Sequence, residues 1–257
     1  MLGGMKSVWD IARRWAPGVR GLGALAKEVT AETLWPTRCV LCDAPGALVC
    51  ADCGKKLPVI DQWKACEQCG APLGRVQCCE CNDVRLGSFG FASFPLEGLR
   101  SVFAFTDDVG SIVRVWKDGG EQRLGAWMAA AMAACIDPSW LVHVPTVTAV
   151  PATKAALARR GFDHGAALAR EVALRLDVPY AMLLERPSAH DQRDFGRAGR
   201  LSNVSGKFSV REHLMLPDTV LLVDDVCTTG STLYGASRAL KASGVRRVYG
   251  ITFARVL

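Results

Sequence analysis

The stretch Val220–Leu233, VLLVDDVCTTGSTL, constrains this chain more than any other. Its first four residues are apolar, two of them Val, and read as a short strand buried on both faces, as in a parallel sheet. Asp224 and Asp225 follow where such a strand ends, and Thr228, Thr229, Gly230, Ser231 and Thr232 make a small hydroxyl-rich turn into the helical pattern Leu233–Ser243. That turn has the makings of a phosphate cradle: backbone N–H groups at a helix N-terminus, a glycine that lets an anion approach, and side-chain hydroxyls as extra donors. Acids beside such a cradle suggest a sugar phosphate, because carboxylates accept hydrogen bonds from vicinal ribose hydroxyls while the turn holds the phosphate.

Two other readings compete. An apolar strand ending in two acids also occurs in P-loop ATPases, where an Asp serves magnesium. Yet the chain has no GxxxxGK[ST], and Gly206-Lys207 is followed by Phe208. The second is a plain sheet edge followed by a capped helix. Capping needs one hydroxyl, whereas Thr228, Thr229, Ser231 and Thr232 surround Gly230 with four.

The cysteines form the other pattern. Nine of the eleven fall between Cys39 and Cys81, which marks a metal module instead of a disulfide set. Cys39-x-x-Cys42, Cys50-x-x-Cys53, Cys66-x-x-Cys69 and the cluster Cys78, Cys79 and Cys81 are four knuckles, enough for two zinc ions. Sequential pairing gives one ion Cys39, Cys42, Cys50 and Cys53, and the other Cys66, Cys69, Cys78 and Cys81. Cys78 is preferred to Cys79 because it restores the CxxC spacing to Cys81. A cross-braced pairing and an iron–sulfur cluster are the alternatives. Four thiolates per ion leave no open coordination position, so the metal is structural.

Length allows one ordinary domain plus a small module, and half the 257 residues are apolar, enough for a packed core. The formal charge of +6 permits a polyanionic partner without requiring one. No run of eighteen apolar residues and no leader-like N-terminus is present, so a cytoplasmic protein without a transmembrane segment is expected. Residues 1–34 read as a broken amphipathic helical segment and residues 35–86 as a double zinc ribbon. Residues 87–257 carry alternating strand and helix patterns, an α/β domain with a parallel sheet. Strands are expected at Ser101–Thr106, within Leu141–Val150, at Tyr180–Leu184 and at Val248–Ala254, with helices at Val109–Lys117, Gly125–Ile136 and up to Leu176. A ligand then sits at the carboxyl ends of the strands, near Asp224, Asp225 and the Pro151–Lys154 loop. The ribbon and this domain are expected to have separate cores. His164 and His190 read as surface or capping residues, and Cys135 and Cys227 as buried ones.

The cradle resembles the phosphoribosyl pyrophosphate (PRPP) signature of type I phosphoribosyltransferases. The order of four CxxC knuckles, VPATKAALARRGFDH, RPSAHDQRDFGRAGRLSNVSGKF and VLLVDDVCTTGSTL resembles the ComF/GntX family of competence-associated phosphoribosyltransferase-like proteins. The family's VPxHxxRxxxRGFNQ loop is matched at Val150, Pro151, Thr153, Arg160, Gly161, Phe162, Asp163 and His164. The resemblance implies a type I phosphoribosyltransferase fold behind the zinc ribbon. It also implies PRPP bound with Mg2+, and Asp224 and Asp225 as the catalytic acids. Thr228–Thr232 take the 5′-phosphate, while Thr153, Lys154 and Arg160 serve the pyrophosphate. In purine-salvage relatives the position of Thr228 is often Asp, so purine salvage is disfavoured and the acceptor of the pentosyl group stays open. The alternative function is a non-catalytic module handling single-stranded DNA with competence-machinery partners. Gln192, Arg193, Phe195, Arg197 and Arg200 would then be the contact loop.

Overall fold

A computed structural model of the chain describes residues 36–186 and 208–257. The N-terminal segment 1–34, His190 and the loop residues Gln192, Arg193, Phe195, Arg197 and Arg200 lie outside the described residues.

The cysteine module contributes two short helices, α1 (Ala51–Lys56) and α2 (Asp83–Ser88). There follow β1 (Gly98–Ala104), α3 (Asp107–Asp118), α4 (Arg123–Cys135), β2 (Thr146–Ala149), α5 (Lys154–Arg160) and α6 (His164–Leu176). The two-residue strands β3 (Leu184–Glu185) and β4 (Ser209–Val210) precede β5 (Thr219–Cys227), α7 (Ser231–Ala242) and β6 (Arg247–Arg255). β1, β6, β5 and β2 lie side by side in that order, all parallel, while β3 and β4 form a separate antiparallel pair. The expected strand at Tyr180–Leu184 is reduced to a bridge from Tyr180 to Val147 at the sheet edge, followed by β3.

β5 shows why the sheet is covered on both sides. Leu221 and Val223 point into a core with Ile251, Phe253, Met128 and Val172, which α3, α4 and α6 complete. Val220 and Leu222 point the other way, to Leu99, Val248, Leu233 and Leu240 beneath α7. Side chains alternate along a strand, so a run of apolar residues demands a layer on each face. α3 buries Val109, Ile112, Val113 and Trp116, the spacing of one helical face, and Thr106 caps its first turn by accepting from the Val109 N–H. Asp163 does the same for α6, accepting from Ala166 N–H at 2.9 Å. Those two helices thereby deliver Lys117 and His164 to one end of the sheet.

The expectation of separate cores does not hold. Val49 and Leu57 of the cysteine module are buried in the α4–α6 core. The module's backbone also docks on β1: Ile60 N–H donates to Val102 at 2.8 Å, and Leu99 N–H donates to Gln68 at 2.8 Å. At Gly70 a β-carbon would meet the Leu99 carbonyl oxygen at 2.4 Å, so only glycine allows this approach. The module presents few apolar side chains of its own and completes its burial against the larger domain.

Candidate active site and metal centres

β5 carries Asp224 and Asp225 near its carboxyl end, continuing two residues further to Cys227 before the turn. A cavity of about 500 Å³ opens there, with Asp224, Asp225, Pro151, Thr153, Arg160 and Thr232 among its lining residues. Lys117, His164 and Arg186 also face it. Asp224 Oδ1 accepts from the Asp225 backbone N–H at 2.9 Å. Burial, reinforced by the neighbouring Asp225 charge, pushes the Asp224 carboxyl well above its ordinary value. The Lys117 ammonium forms an ion pair with the Asp225 carboxylate, both side chains being largely buried. Such a crowded acid pair gains from any further cation, so the donor set suits a hard divalent ion coordinated by oxygen.

The residues expected in the site do not all converge. Thr228 and Thr229 are exposed in the turn, Gly230 has φ of 77° and Ser231 opens α7, while Thr232 alone of the five lines the cavity. A β-carbon on Gly230 would lie 2.5 Å from the Tyr234 ring. Gly230, the residue before α7, has no side chain to cap it, and the Thr229 hydroxyl accepts from the Ser231 N–H at 3.4 Å, so the rest of the first turn and the macrodipole are open to an anion. Thr153 lines the cavity, and its hydroxyl oxygen caps α5 by accepting from Ala156 N–H at 3.2 Å. Lys154 is exposed on α5 and does not line the cavity. Arg160 does, held by Asp118 at 2.8 Å.

Lys117, His164 and Arg186 were not anticipated as site residues. His164, expected as a surface or capping residue, is the first residue of α6 and is 5% exposed. Its ring stands edge-on to Trp116 and against Phe162, and burial together with Arg160 and Lys117 lowers its pKa, favouring neutral imidazole. Arg186 donates to the Pro151 carbonyl at 2.8 Å and lies over the Phe208 ring, which holds the 151–153 loop from outside. The pairing RGFDH could have flagged His164, because the Asp163 cap fixes the first residue of α6 against the sheet. Cys135 and Cys227 are buried, as expected.

The remaining thiols gather in two groups. Cys39, Cys42, Cys50 and Cys53 form one, and Cys66, Cys69, Cys78 and Cys81 the other, with all ligand atoms of each group within 4.8 Å of one another. The pairing is sequential and Cys79 is exposed outside the second group. Close sulfur contacts of 3.6 Å (Cys42–Cys50 and Cys66–Cys81) and 3.5 Å (Cys69–Cys78) suit one ion per group. Thiolates about 2.3 Å from a shared tetrahedral zinc lie roughly 3.8 Å apart.

Residues 158–256 match the phosphoribosyl transferase domain. The chain is therefore a phosphoribosyltransferase-domain protein: the matched stretch runs from α5 through β6, and the parallel sheet carries its paired acids and glycine turn at the expected end. It is 33% identical over 94 residues to competence protein F of Haemophilus influenzae, a match spanning 35% of this chain and 41% of that protein. With two four-cysteine groups ahead of the sheet, it is a ComF-like protein. Among the described residues no helix is long and apolar enough to cross a membrane.

Proposed function

We propose that the chain binds PRPP as its magnesium complex in the β5 cavity and transfers the phosphoribosyl group to an acceptor. The observation that carries this reading is the convergence of Asp224, Asp225, Lys117 and Thr232, in the first turn of α7, on one cavity. The two acids accept from the ribose hydroxyls, and the turn from Thr228 to Thr232 takes the 5′-phosphate. Arg160, the Thr153 hydroxyl and the backbone after Pro151 serve the pyrophosphate; Lys154 can reach it only by turning inward from the surface of α5. Departure of pyrophosphate leaves an oxocarbenium-like carbon, so the site must hold the leaving charge while fixing the ribose. Magnesium, when bound, neutralises part of that charge and would be held through Asp224 and Asp225. Each four-cysteine group holds one structural zinc ion. So many reduced thiols fit a cytoplasmic setting.

Calorimetric titration of the zinc-loaded protein with PRPP and magnesium tests the proposal, followed by a nucleobase screen for pyrophosphate release. Micromolar, magnesium-dependent binding is expected. Absence of binding by a protein holding both zinc ions would refute it.

The likeness to competence protein F supports a second reading, a role in competence, for which the net charge of +6 permits single-stranded DNA as the partner. Single-strand affinity should then fall steeply with salt and weaken when Arg193, Arg197 and Arg200 are replaced together. Salt-insensitive binding would exclude it.

A further inference from the structure

The two four-cysteine groups occupy different places relative to the PRPP cavity. The residues around the first group pack into the core beneath α4 and α6. Those of the second touch the phosphate turn by two separate routes.

One route is polar. Arg255, 3% exposed, stands opposite Cys227 in the β5–β6 register, at the residue where the phosphate turn begins. Its Nη1 donates to the Cys69 carbonyl at 2.7 Å and approaches Cys227 Sγ at 3.8 Å, while Nη2 lies 3.9 Å from the Glu80 carboxylate. A single buried guanidinium thus joins Cys69, the Cys78–Cys81 knuckle and the root of the turn.

The other route is aromatic. Phe94 packs against the second group and stacks edge-on to Tyr234 at 5.4 Å, with Phe89 and Phe91 also edge-on to that ring. Tyr234 in turn sits over Gly230, the pivot of the turn. Ser237 of α7 donates to the Pro95 carbonyl at 2.6 Å, tying the same segment to the same helix.

We infer that the second four-cysteine group, through Arg255 and Tyr234 as positioning residues, sets the geometry of the phosphate turn, so that loss of its zinc loosens the turn and weakens PRPP binding. The first group has no such effect. This rests on the phosphate-turn reading given above, but its central readout needs no ligand.

Amide hydrogen exchange on the full chain, with zinc content measured in parallel, tests it. Cys78→Ser should lose one zinc ion and speed exchange at residues 234–237 about tenfold, the size of a typical coupling between sites. These are the first hydrogen-bonded amides of α7, beginning with Tyr234 N–H on the Gly230 carbonyl. Cys42→Ser should lose one zinc ion and leave those amides unchanged. Arg255→Met should speed the same amides while β1 and α4 keep their protection, and Arg255→Lys, which retains one donor for the Cys69 carbonyl, should restore part of it. PRPP affinity should fall in step for Cys78→Ser and Arg255→Met only. Unchanged exchange in Cys78→Ser, or equal changes in Cys42→Ser, would overturn the inference. If Cys78→Ser fails to fold, Arg255→Met decides: protection unchanged at 234–237, or lost equally throughout the sheet, overturns it. A wild-type protein that ignores PRPP but shows the exchange pattern would overturn only the ligand assignment.

Discussion

Lys117, in the last turn of α3, forms an ion pair with Asp225 of β5, so the cavity's acid pair carries its own counter-cation. α3 and β5 are far apart in the chain, and the pair exists because Trp116, the residue before, is buried against His164 under the sheet end. Lys117→Met should weaken magnesium–PRPP binding by about tenfold to a hundredfold, the range for a charge-assisted hydrogen bond, with zinc content unchanged. Calorimetric titration checks this; undiminished affinity would place the pyrophosphate away from α3. Asp225→Asn should abolish PRPP binding with fold and zinc intact.

Asp224 gives a pH-dependent stability. Its carboxyl is raised in the folded protein by burial and by Asp225. A raised carboxyl contributes stability that is fully present below the unfolded value near 3.8 and is lost as pH rises through the folded value. Asp224→Asn removes that loss. The variant should therefore exceed wild type by about 1 kcal/mol at neutral pH, with the advantage shrinking toward acid. Urea unfolding of both proteins at matched pH values measures it, and a variant less stable at neutral pH would refute the direction.

Gly230→Ala should damage the turn twice over, since φ of 77° is strained for alanine and its β-carbon meets the Tyr234 ring. A loss of about 1–3 kcal/mol in unfolding free energy is expected, together with weaker PRPP binding.

Zinc stoichiometry separates the neighbouring cysteines. Cys79→Ser should retain two zinc ions by atomic absorption, because its side chain lies outside the second group, whereas Cys78→Ser should retain one. The opposite pattern would reassign that knuckle.

The strand and acids of the cradle were legible because their signals are local: an apolar run, two carboxylates and a glycine turn stand within Val220–Leu233. The helix ending at Leu176 was equally legible, and the structure starts it at His164 with Asp163 as its cap. Lys117 was not, because a lysine in the last turn of an amphipathic helix reads as an ordinary partner of the helix dipole. The docking of the cysteine module was hidden for a related reason. Arg255 looks like the polar end of a strand, and only the parallel β5–β6 pairing brings it beneath the second group. The outward appearance of RGFDH likewise concealed that Trp116 and Phe162 enclose His164.

Among the described residues β1 has one neighbouring strand in the sheet, β6, and the hydroxyl pair Ser101–Thr252 that joins them spans 151 positions of the chain. A ribosome adding about 5–20 residues each second therefore leaves β1 without its partner for many seconds. Throughout that interval the nascent chain displays an apolar strand with open edges, to which the knuckle backbone at Gln68 and Ile60 is already able to bond. Cysteine knuckles that close early on metal would thus cover part of β1 before the final strand exists, and the same bonds persist beside β6 in the finished sheet.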